Sequence, residues 1–381
     1  VFAGEYYKND DCVLFMPQTL DDNIYDPVDT KLVAKMHKAI TIIQLKLEGQ
    51  LIERHPEWCM GKRDIFRMVD FDRGTVTIDG SEYELLDKNF PTVCRKDPLS
   101  LTDAENELMS VLENSFMHSE RLNSHIRFLY SKGSMYKTIN GNLLFHGCIP
   151  LDENGQLQSV NIAGTDYSGK ALLDKLDEIA NKAYFMQPGE EKDYAADYMW
   201  YLWSGARSPL YGKDKMAFFE RYFLDDKKLH KENYNAYYHF SEQAEVCGWI
   251  LEMFGLDPER GHIINGHVPV KIKNGEKPVK AGGKLFVIDG GISKAYQKAT
   301  GIAGYTLIYD SHSLNLAEHK PFVAGESEHT PEIHLVERLE RRANISDTDK
   351  GAELLEQIND LRELLRAYRS GEIKESGRRV N

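Results

Sequence analysis

The chain has 381 residues, of which 41% are hydrophobic and 28% are charged, a composition typical of a globular protein. Its length exceeds that of one typical domain and favours one large α/β unit with insertions, or two domains. The formal net charge of −13 argues against nucleic acid and anionic membrane as partners, because both require a cationic surface.

The cysteine pattern bears on the cellular location. The five cysteines are odd in number and share no CxxC spacing: Cys12, Cys59, Cys94, Cys148 and Cys247. This pattern is typical of reduced thiols and not of a disulfide framework or a zinc ribbon. No apolar run approaches the roughly 18 residues of a membrane-spanning helix. We therefore expect a cytoplasmic protein.

The first 132 residues are predicted to form a mainly helical layer that carries one hairpin. A hairpin is indicated by two strands that flank Asp79-Gly80. Thr102 and Glu105 form the capping box of a later helical region. Before both, residues 29–54 show the apolar spacing of a helix, and the side chains that share one face are Leu32, Val33, Met36, Ile40, Ile43, Leu47 and Leu51.

Strand signals become frequent after residue 134. Asn140-Gly141 predicts a hairpin of residues 135–139 and 142–145. Further strands are predicted at 261–270, 284–288, 305–309 and 314–317, and residues 332–341 fit either a strand or a helix. Helices are predicted at residues 170–185, 192–203, 213–223, 241–254 and 350–369. The last of these is amphipathic and can pack on the body of the protein or on another subunit.

Two histidines occur where predicted strands end. His146 closes the strand at 142–145 and precedes Gly147, while His267 follows Gly266. Neutral imidazoles are common ligands of transition metals. A metal site at a sheet edge requires such histidines, although buried structural histidines explain the pattern equally well. Asp289 is interpreted mainly as a strand-end residue that shapes the same edge.

Other catalytic signals are weak. The chain has no Gly-x-Ser-x-Gly elbow, no Walker loop and no Gly-x-Gly-x-x-Gly opening a helix, so nucleophilic catalysis is poorly supported. Lys213, Lys215 and Arg221 form a basic cluster in an acidic protein. Composition alone favours a solvated helix face for this cluster over a binding site.

Longer motifs resemble a known superfamily. The block HGCIP at 146–150, NGHVP at 265–269 and the strand GKLFVIDGG at 283–291 resemble blocks of the metallophosphoesterases, which include calcineurin and the phosphoprotein phosphatases. More narrowly, the chain resembles the class III fructose-1,6-bisphosphatases of bacteria over nearly its whole length. The runs that carry this likeness are FLYSKGSMY at 128–136, SPLYGKDKM at 208–216, ISKAYQK at 292–298, TGIAGYTL at 300–307 and AYRSG at 367–371.

The resemblance implies a fold and its division. The expected fold is α/β (α+β), the later part of a two-sheet metallophosphoesterase sandwich flanked by helices with a helical and hairpin insertion. Residues 1–132 are the insertion, 133–330 the core, and 331–381 the carboxy-terminal helix and tail.

The resemblance also implies an activity. It is the metal-dependent hydrolysis of the 1-phosphate of fructose 1,6-bisphosphate to fructose 6-phosphate in gluconeogenesis, by a homo-oligomer. A pair of Mn²⁺ ions is expected, with His146 and His267 as ligands of one of them. The candidates for binding substrate phosphate are Lys213, Lys215, Arg221, Lys294 and, more weakly, Arg207.

Three motifs of the superfamily do not stand in their expected places. Asp72-Arg73-Gly74 and Asp310-Ser311-His312 match parts of them only superficially. We therefore expect a carboxy-terminal portion of such an enzyme, with the other ligands and the general acid in a missing amino-terminal part that acts as its partner. The alternatives are a phosphoprotein phosphatase, and a catalytically incomplete fragment that serves as one half of the enzyme.

Overall fold

The computed structural model describes residues 1–17, 28–291, 293–302, 304–321 and 330–374, without the side chains of residues 294, 295 and 298. The helices are α1 (Phe2–Tyr6), α2 (Thr30–Arg54), α3 (Asp103–Met117), α4 (Glu120–Lys132), α5 (Gly169–Phe185), α6 (Glu190–Ser204), α7 (Phe218–Phe223), α8 (Tyr237–Phe240), α9 (Ala244–Met253), α10 (Lys294–Thr300) and α11 (Asp349–Ser370). The strands are β1 (Val69–Asp70), β2 (Thr75–Ile78), β3 (Ser81–Glu84), β4 (Tyr136–Ile139), β5 (Asn142–Phe145), β6 (Val160–Ile162), β7 (Thr165–Tyr167), β8 (Ile263–Asn265), β9 (Val279–Lys280), β10 (Leu285–Val287), β11 (Gly304–Tyr309), β12 (Ser313–His319) and β13 (Glu332–Arg338).

The protein is a mixed α/β chain that folds as two compact units. Unit 1 consists of Val1–Met135 and His146–Phe240, and unit 2 of Tyr136–Phe145 and Ser241–Asn381. The predicted domain boundaries, residues 132 and 330, do not coincide with the limits of these units. Those boundaries stay a prediction. Of the helices in the described part of the chain, none is both long and apolar enough to cross a membrane.

Helix α2 contributes Ala34, Ala39, Ile42 and Leu45 to a hydrophobic core of unit 1. The side chain of Asp29 caps it by accepting hydrogen bonds from the backbone N–H groups of Lys31 and Leu32, as the sequence predicts. The predicted apolar face is wrong at Leu32, Met36 and Ile40, which are exposed, although its member Ile43 is buried. The buried face is rotated from the predicted one and includes Ala34, Lys38, Ala39, Ile42, Leu45 and Lys46.

Two buried lysines explain this rotation. Lys38 Nζ donates hydrogen bonds to Asp10 and to Asp87, the latter at 2.6 Å. Lys46 Nζ lies 2.7 Å from a carboxylate oxygen of Glu105, and both side chains are fully buried. Because each ammonium group has a carboxylate partner, the helix can turn these positions toward the core.

The capping box of α3 is confirmed and takes part in the same network. Thr102 accepts a hydrogen bond from the Glu105 N–H, and the Glu105 carboxylate accepts one from the Thr102 N–H at 2.8 Å. Glu105 thus serves the helix terminus and the buried lysine together.

The predicted helix at 213–223 is only partly correct. Only Phe218–Phe223 is helical, as α7. The preceding residues are extended, because Lys213 pairs with Tyr234 in a β-bridge and the Asp214 N–H bonds to the Asn233 carbonyl at 2.9 Å.

The five-stranded sheet of unit 2 has the order β4-β5-β8-β10-β9. The three central strands are parallel: β8 pairs with β5 on one side and with β10 on the other. Strands β8 and β10 are buried throughout, as parallel strands covered on both faces usually are. The edge strands β4 and β9 are antiparallel to their neighbours.

A second sheet of unit 2 has the order β11-β12-β13. The ambiguous run at 332–341 therefore begins with a strand, which pairs antiparallel with β12. His262 connects this sheet to the first one: its ring nitrogens lie 2.9 Å from the Asn142 side chain in β5 and 2.8 Å from Glu337 in β13.

The buried pair of unit 1 gives a stability test. Replacing Glu105→Gln leaves the Lys46 ammonium buried without a counter-charge, so the free energy of unfolding should fall by about 3 kcal/mol in urea denaturation. Glu107→Gln, an exposed change in the same helix, should have little effect. Adding Lys46→Met to Glu105→Gln should recover part of the loss, and a double variant less stable than the single one contradicts this account.

Candidate functional site

The parallel strands of unit 2 bring three chain segments to one edge of the sheet. Because β5, β8 and β10 run in the same direction, their carboxyl ends share that edge. His146 directly follows β5, where the chain passes from unit 2 to unit 1. His267 follows β8 by two residues, and Asp289 follows β10 by two residues. The predicted strand-end positions are confirmed, while metal binding by the two histidines stays a prediction.

His267 has an unusual backbone conformation. Its φ is +66°, and the N–H of Val268 bonds to the carbonyl of Gly266 at 2.8 Å, which makes His267 the centre of a γ-turn. Such a conformation costs a non-glycine residue on the order of 1–3 kcal/mol. Strain of this kind clusters at functional sites, so it supports a functional hypothesis for this imidazole.

Asp289 has a structural role at the same edge. Its carboxylate accepts a hydrogen bond from the Gly291 N–H at 2.7 Å, and its carbonyl accepts one from Val270 at 2.8 Å. A Cβ on Gly290 would lie 2.6 Å from Gly304 Cα. The carboxylate therefore holds a turn in which two chain segments touch closely.

Histidine, cysteine and carboxylate side chains are the usual protein ligands of a transition metal. Within the described ranges, no group of three or more His, Cys, Asp or Glu side chains is arranged to hold a metal ion. A stable transition-metal site uses at least three protein ligands, so His146 and His267 would need further ligands to hold such an ion.

The segment after β5 is tightly packed within unit 1. A Cβ on Gly147 would lie 2.3 Å from the carbonyl oxygen of Pro209, and that oxygen accepts the Cys148 N–H at 2.9 Å. Burial raises the pKa of the Cys148 thiol, so this cysteine is a packing residue and not a nucleophile. Gly147 and Cys148 are thus closely packed against the Pro209 carbonyl of the loop at 208–212.

The predicted basic cluster forms a network of ion pairs. Lys213 lies 2.7 Å and Arg221 3.4 Å from Glu232. Burial acts to raise the pKa of the Glu232 carboxyl, but hydrogen bonds from Lys213 and from the Ala217 N–H outweigh it and lower that pKa. Glu232 therefore pairs with both cations, and its single negative charge offsets one of their two positive charges within unit 1.

A pocket of about 420 Å³ opens nearby in unit 1. Of the predicted phosphate-binding residues, Arg207 and Lys215 line it. Lys215 also donates to the Leu229 carbonyl at 2.9 Å, whereas Arg207 is exposed and donates to the Ser159 carbonyl at 3.2 Å. The other charged or aromatic side chains of the wall are Glu57, Trp58, Lys62, Arg63, Asp79, Tyr201 and Asp214.

The remaining candidates lie elsewhere. Lys213 and Arg221 are not among the residues described as lining this pocket. Lys294 begins α10 in unit 2, and its side chain lies outside the described residues.

Sequence reasoning missed Lys62 and Arg63. Arg63 is held by Glu220 at 2.7 Å, and Lys62 lies 3.2 Å from Asp79. Neither belongs to a periodic segment. The signal that was present is an adjacent basic pair after Gly61, in a single 3₁₀ turn of a connecting segment. Connecting segments on a rigid scaffold often carry binding residues.

These features define an α/β protein that places candidate functional residues at the carboxyl ends of parallel strands, as ligand-binding α/β sheets commonly do. The chain belongs to the Firmicute fructose-1,6-bisphosphatase family, whose model matches residues 1–370. This confirms the resemblance at the level of the family. The narrower expectation of a carboxy-terminal portion is not borne out.

Several curated relatives match nearly the whole chain. Proteins named fructose-1,6-bisphosphatase class 3 from Clostridium botulinum (strain Alaska E43 / Type E3) and Clostridium tetani are 51% and 52% identical to it. Each match covers 98% of this chain and 58% of the relative, so the chain spans somewhat more than half the length of these proteins. No solved structure matches it.

The packing after β5 gives a test of the site. Gly147→Ala places a methyl group against the Pro209 carbonyl, so unfolding should become easier by about 1–3 kcal/mol, as judged by thermal denaturation. Gly4→Ala is the matched control, because a Cβ there meets nothing within 4 Å. Equal melting temperatures for the two variants would show that the close approach of Gly147 to the Pro209 carbonyl does not affect stability.

Proposed function

We propose that this chain is part of a fructose-1,6-bisphosphatase, which hydrolyses the 1-phosphate of fructose 1,6-bisphosphate to fructose 6-phosphate and phosphate. The observation that carries the proposal is the family membership, together with about 50% identity to proteins of that name along 98% of the chain. We place the activity in gluconeogenesis, in the cytoplasm and in a homo-oligomer.

The fold proposal concerns the sheet of unit 2. Its parallel strands β5, β8 and β10 belong, in this proposal, to a two-sheet sandwich of the metallophosphoesterase type. Support comes from the histidine and glycine residues that follow β5 and β8 at the same sheet edge. Manganese is the proposed metal, with His146 and His267 each supplying an imidazole and further ligands coming from outside the described residues.

The pocket of unit 1 is the proposed site for a substrate phosphate. Its volume of about 420 Å³ falls within the usual range for small-molecule sites. A phosphate dianion binds best to cations that are not already balanced. Arg207 fits this requirement better than Lys213 or Arg221, which share Glu232. A guanidinium also offers several N–H donors, of which the Ser159 carbonyl accepts one.

The activity is tested on the purified 381-residue chain. We expect release of phosphate from fructose 1,6-bisphosphate that depends on added Mn²⁺ and is abolished by a chelator. Release from a phosphopeptide and none from the sugar bisphosphate would favour the phosphoprotein phosphatase and overturn the proposal. A chain that binds the sugar bisphosphate without hydrolysing it would indicate an incomplete half of the enzyme.

A substitution of the strained His267 can test its role in metal binding separately from its effect on stability. His267→Gly removes the imidazole but suits the positive φ, so the free energy of unfolding should change by less than about 1 kcal/mol. Binding of Mn²⁺, followed by electron paramagnetic resonance, should weaken at least tenfold. His312→Gly, at an exposed position in unit 2, should leave Mn²⁺ binding unchanged. Equal Mn²⁺ affinities for the wild type and His267→Gly would remove His267 from the proposed ligands.

The pocket is tested by equilibrium binding. Arg207→Gln should weaken the binding of fructose 1,6-bisphosphate roughly 10- to 100-fold, the usual value of a lost hydrogen bond to a charged group. Arg221→Gln is the matched control and should change it little, because Glu232 already engages that arginine. A larger effect for Arg221→Gln would move the phosphate site to the cluster around Glu232. Calorimetry measures both affinities without requiring catalysis.

A further inference from the structure

The loop formed by residues 271–277 lies at the carboxyl edge of the five-stranded sheet, where β5, β8 and β10 end. It follows the carboxyl end of β8. It leads into β9, which is antiparallel to β10 and begins beside the end of β10, where the Val287 N–H bonds to the Pro278 carbonyl at 2.8 Å. Both ends of the loop are therefore fixed at the edge where His267 and Asp289 follow their strands.

Hydrogen bonds within the loop hold it in one compact turn. The Asn274 N–H bonds to the Lys271 carbonyl at 2.8 Å. The Gly275 N–H bonds to the Ile272 carbonyl at the same distance, 2.8 Å. The Glu276 carboxylate accepts the Lys271 N–H at 2.9 Å. The acid of the loop is therefore engaged with the backbone and forms no ion pair with a lysine of the loop.

The loop carries an excess of positive charge. It contains three lysines, Lys271, Lys273 and Lys277, and the single acid Glu276. The stem of Lys273 packs at the end of α10, since a Cβ on Gly301 would lie 3.1 Å from Lys273 Cγ. The ammonium groups of Lys271 and Lys277 have neither an ion pair nor a hydrogen bond within the described ranges. In a chain of net charge −13, such a local excess of cations attracts anions to one place.

A lysine at the other edge of the same sheet is engaged by a carboxylate. Lys280, in β9, pairs with Leu285, the first residue of β10, and so lies toward the amino edge. Its ammonium group is 2.8 Å from a carboxylate oxygen of Glu242. Lys271 and Lys277, which the described residues leave without such a partner, are both at the carboxyl edge.

We infer that Lys271 and Lys277 bind a phosphate group of the sugar bisphosphate at this carboxyl edge. The inference rests on the proposed function, which places a metal-binding imidazole at the same edge. That imidazole belongs to His267, which precedes Lys271 by four residues. The intervening chain is held to the sheet, because the Val270 N–H bonds to the Asp289 carbonyl at 2.8 Å. An ammonium group has three donors and a compact charge, which suit the oxygens of a phosphate.

Protection of lysines from acylation locates the bound phosphate. The purified 381-residue chain is treated with acetic anhydride in the presence of a chelator, so that no turnover occurs, and the modified lysines are identified by peptide mass spectrometry. Saturating fructose 1,6-bisphosphate should slow the acylation of Lys271 and Lys277 at least threefold and leave that of Lys280 unchanged. Inorganic phosphate should protect the same two lysines, and fructose should not. If neither phosphate compound protects them, or if Lys280 is protected equally, the inference is overturned.

Kinetics test whether the two lysines contribute to substrate binding. The double change Lys271→Gln and Lys277→Gln should raise KM for fructose 1,6-bisphosphate about tenfold and leave kcat within twofold, because binding to a phosphate is lost and the reacting groups remain. Added salt should raise KM of the wild type more than that of the double variant. A purely structural role would not change this salt dependence. Lys280→Gln is the matched control at the other edge and should change KM less than twofold.

The two readouts distinguish this inference from the proposed function. Hydrolysis with an unchanged KM in the double variant overturns the inference and leaves the proposed function in place. Protection of both lysines in a chain that hydrolyses no sugar bisphosphate, with Mn²⁺ added, overturns the proposed activity and supports the phosphate site.

Discussion

Parallel pairing of three short strands controls the geometry of the candidate site. Backbone hydrogen bonds hold β5, β8 and β10 in register, among them Ile263 N–H to the Lys284 carbonyl and Ile288 N–H to the Asn265 carbonyl, at 2.8 and 2.9 Å. A slip of one residue would break these backbone hydrogen bonds and move each strand end by about 3.3 Å along its neighbour. The positions of the residues after β5, β8 and β10 depend on this register.

Buried ion pairs fix the position of helix α2 in unit 1. Lys38 and Lys46 of α2 are fully enclosed, and acids from segments far away in sequence balance them. Removing two ions from water is costly, and the pairs repay that cost only when both partners are in place. The arrangement therefore ties α2 to the segments that carry Asp10, Asp87 and Glu105. These ion pairs stabilise the buried face of α2, and they also determine which face of the helix is buried.

The same balance of charge distinguishes the candidate phosphate ligands. Lys213 and Arg221 lie close in sequence to residues that line the pocket, but both form ion pairs with Glu232. Arg207 projects from the loop after α6 and lines the pocket wall. A basic residue in an acidic protein is thus a good candidate for anion binding only when no carboxylate of the same protein already forms an ion pair with it. Composition and local sequence do not reveal that difference.

Local signals in the sequence determined the elements: the Asp29 cap of α2, the Thr102 and Glu105 capping box, the Asn140-Gly141 hairpin and the strand ends at His146 and Gly266 all stand as predicted. These features depend on residues within a few positions of each other. The buried face of α2, the extended run before α7 and the pocket lined by Lys62 and Arg63 were decided only by the tertiary structure. In each case the deciding partner is distant along the chain, as Glu105 is for Lys46 and Asn233 for Asp214. Sequence periodicity assigns lysine to solvent because it cannot show which carboxylate will meet it.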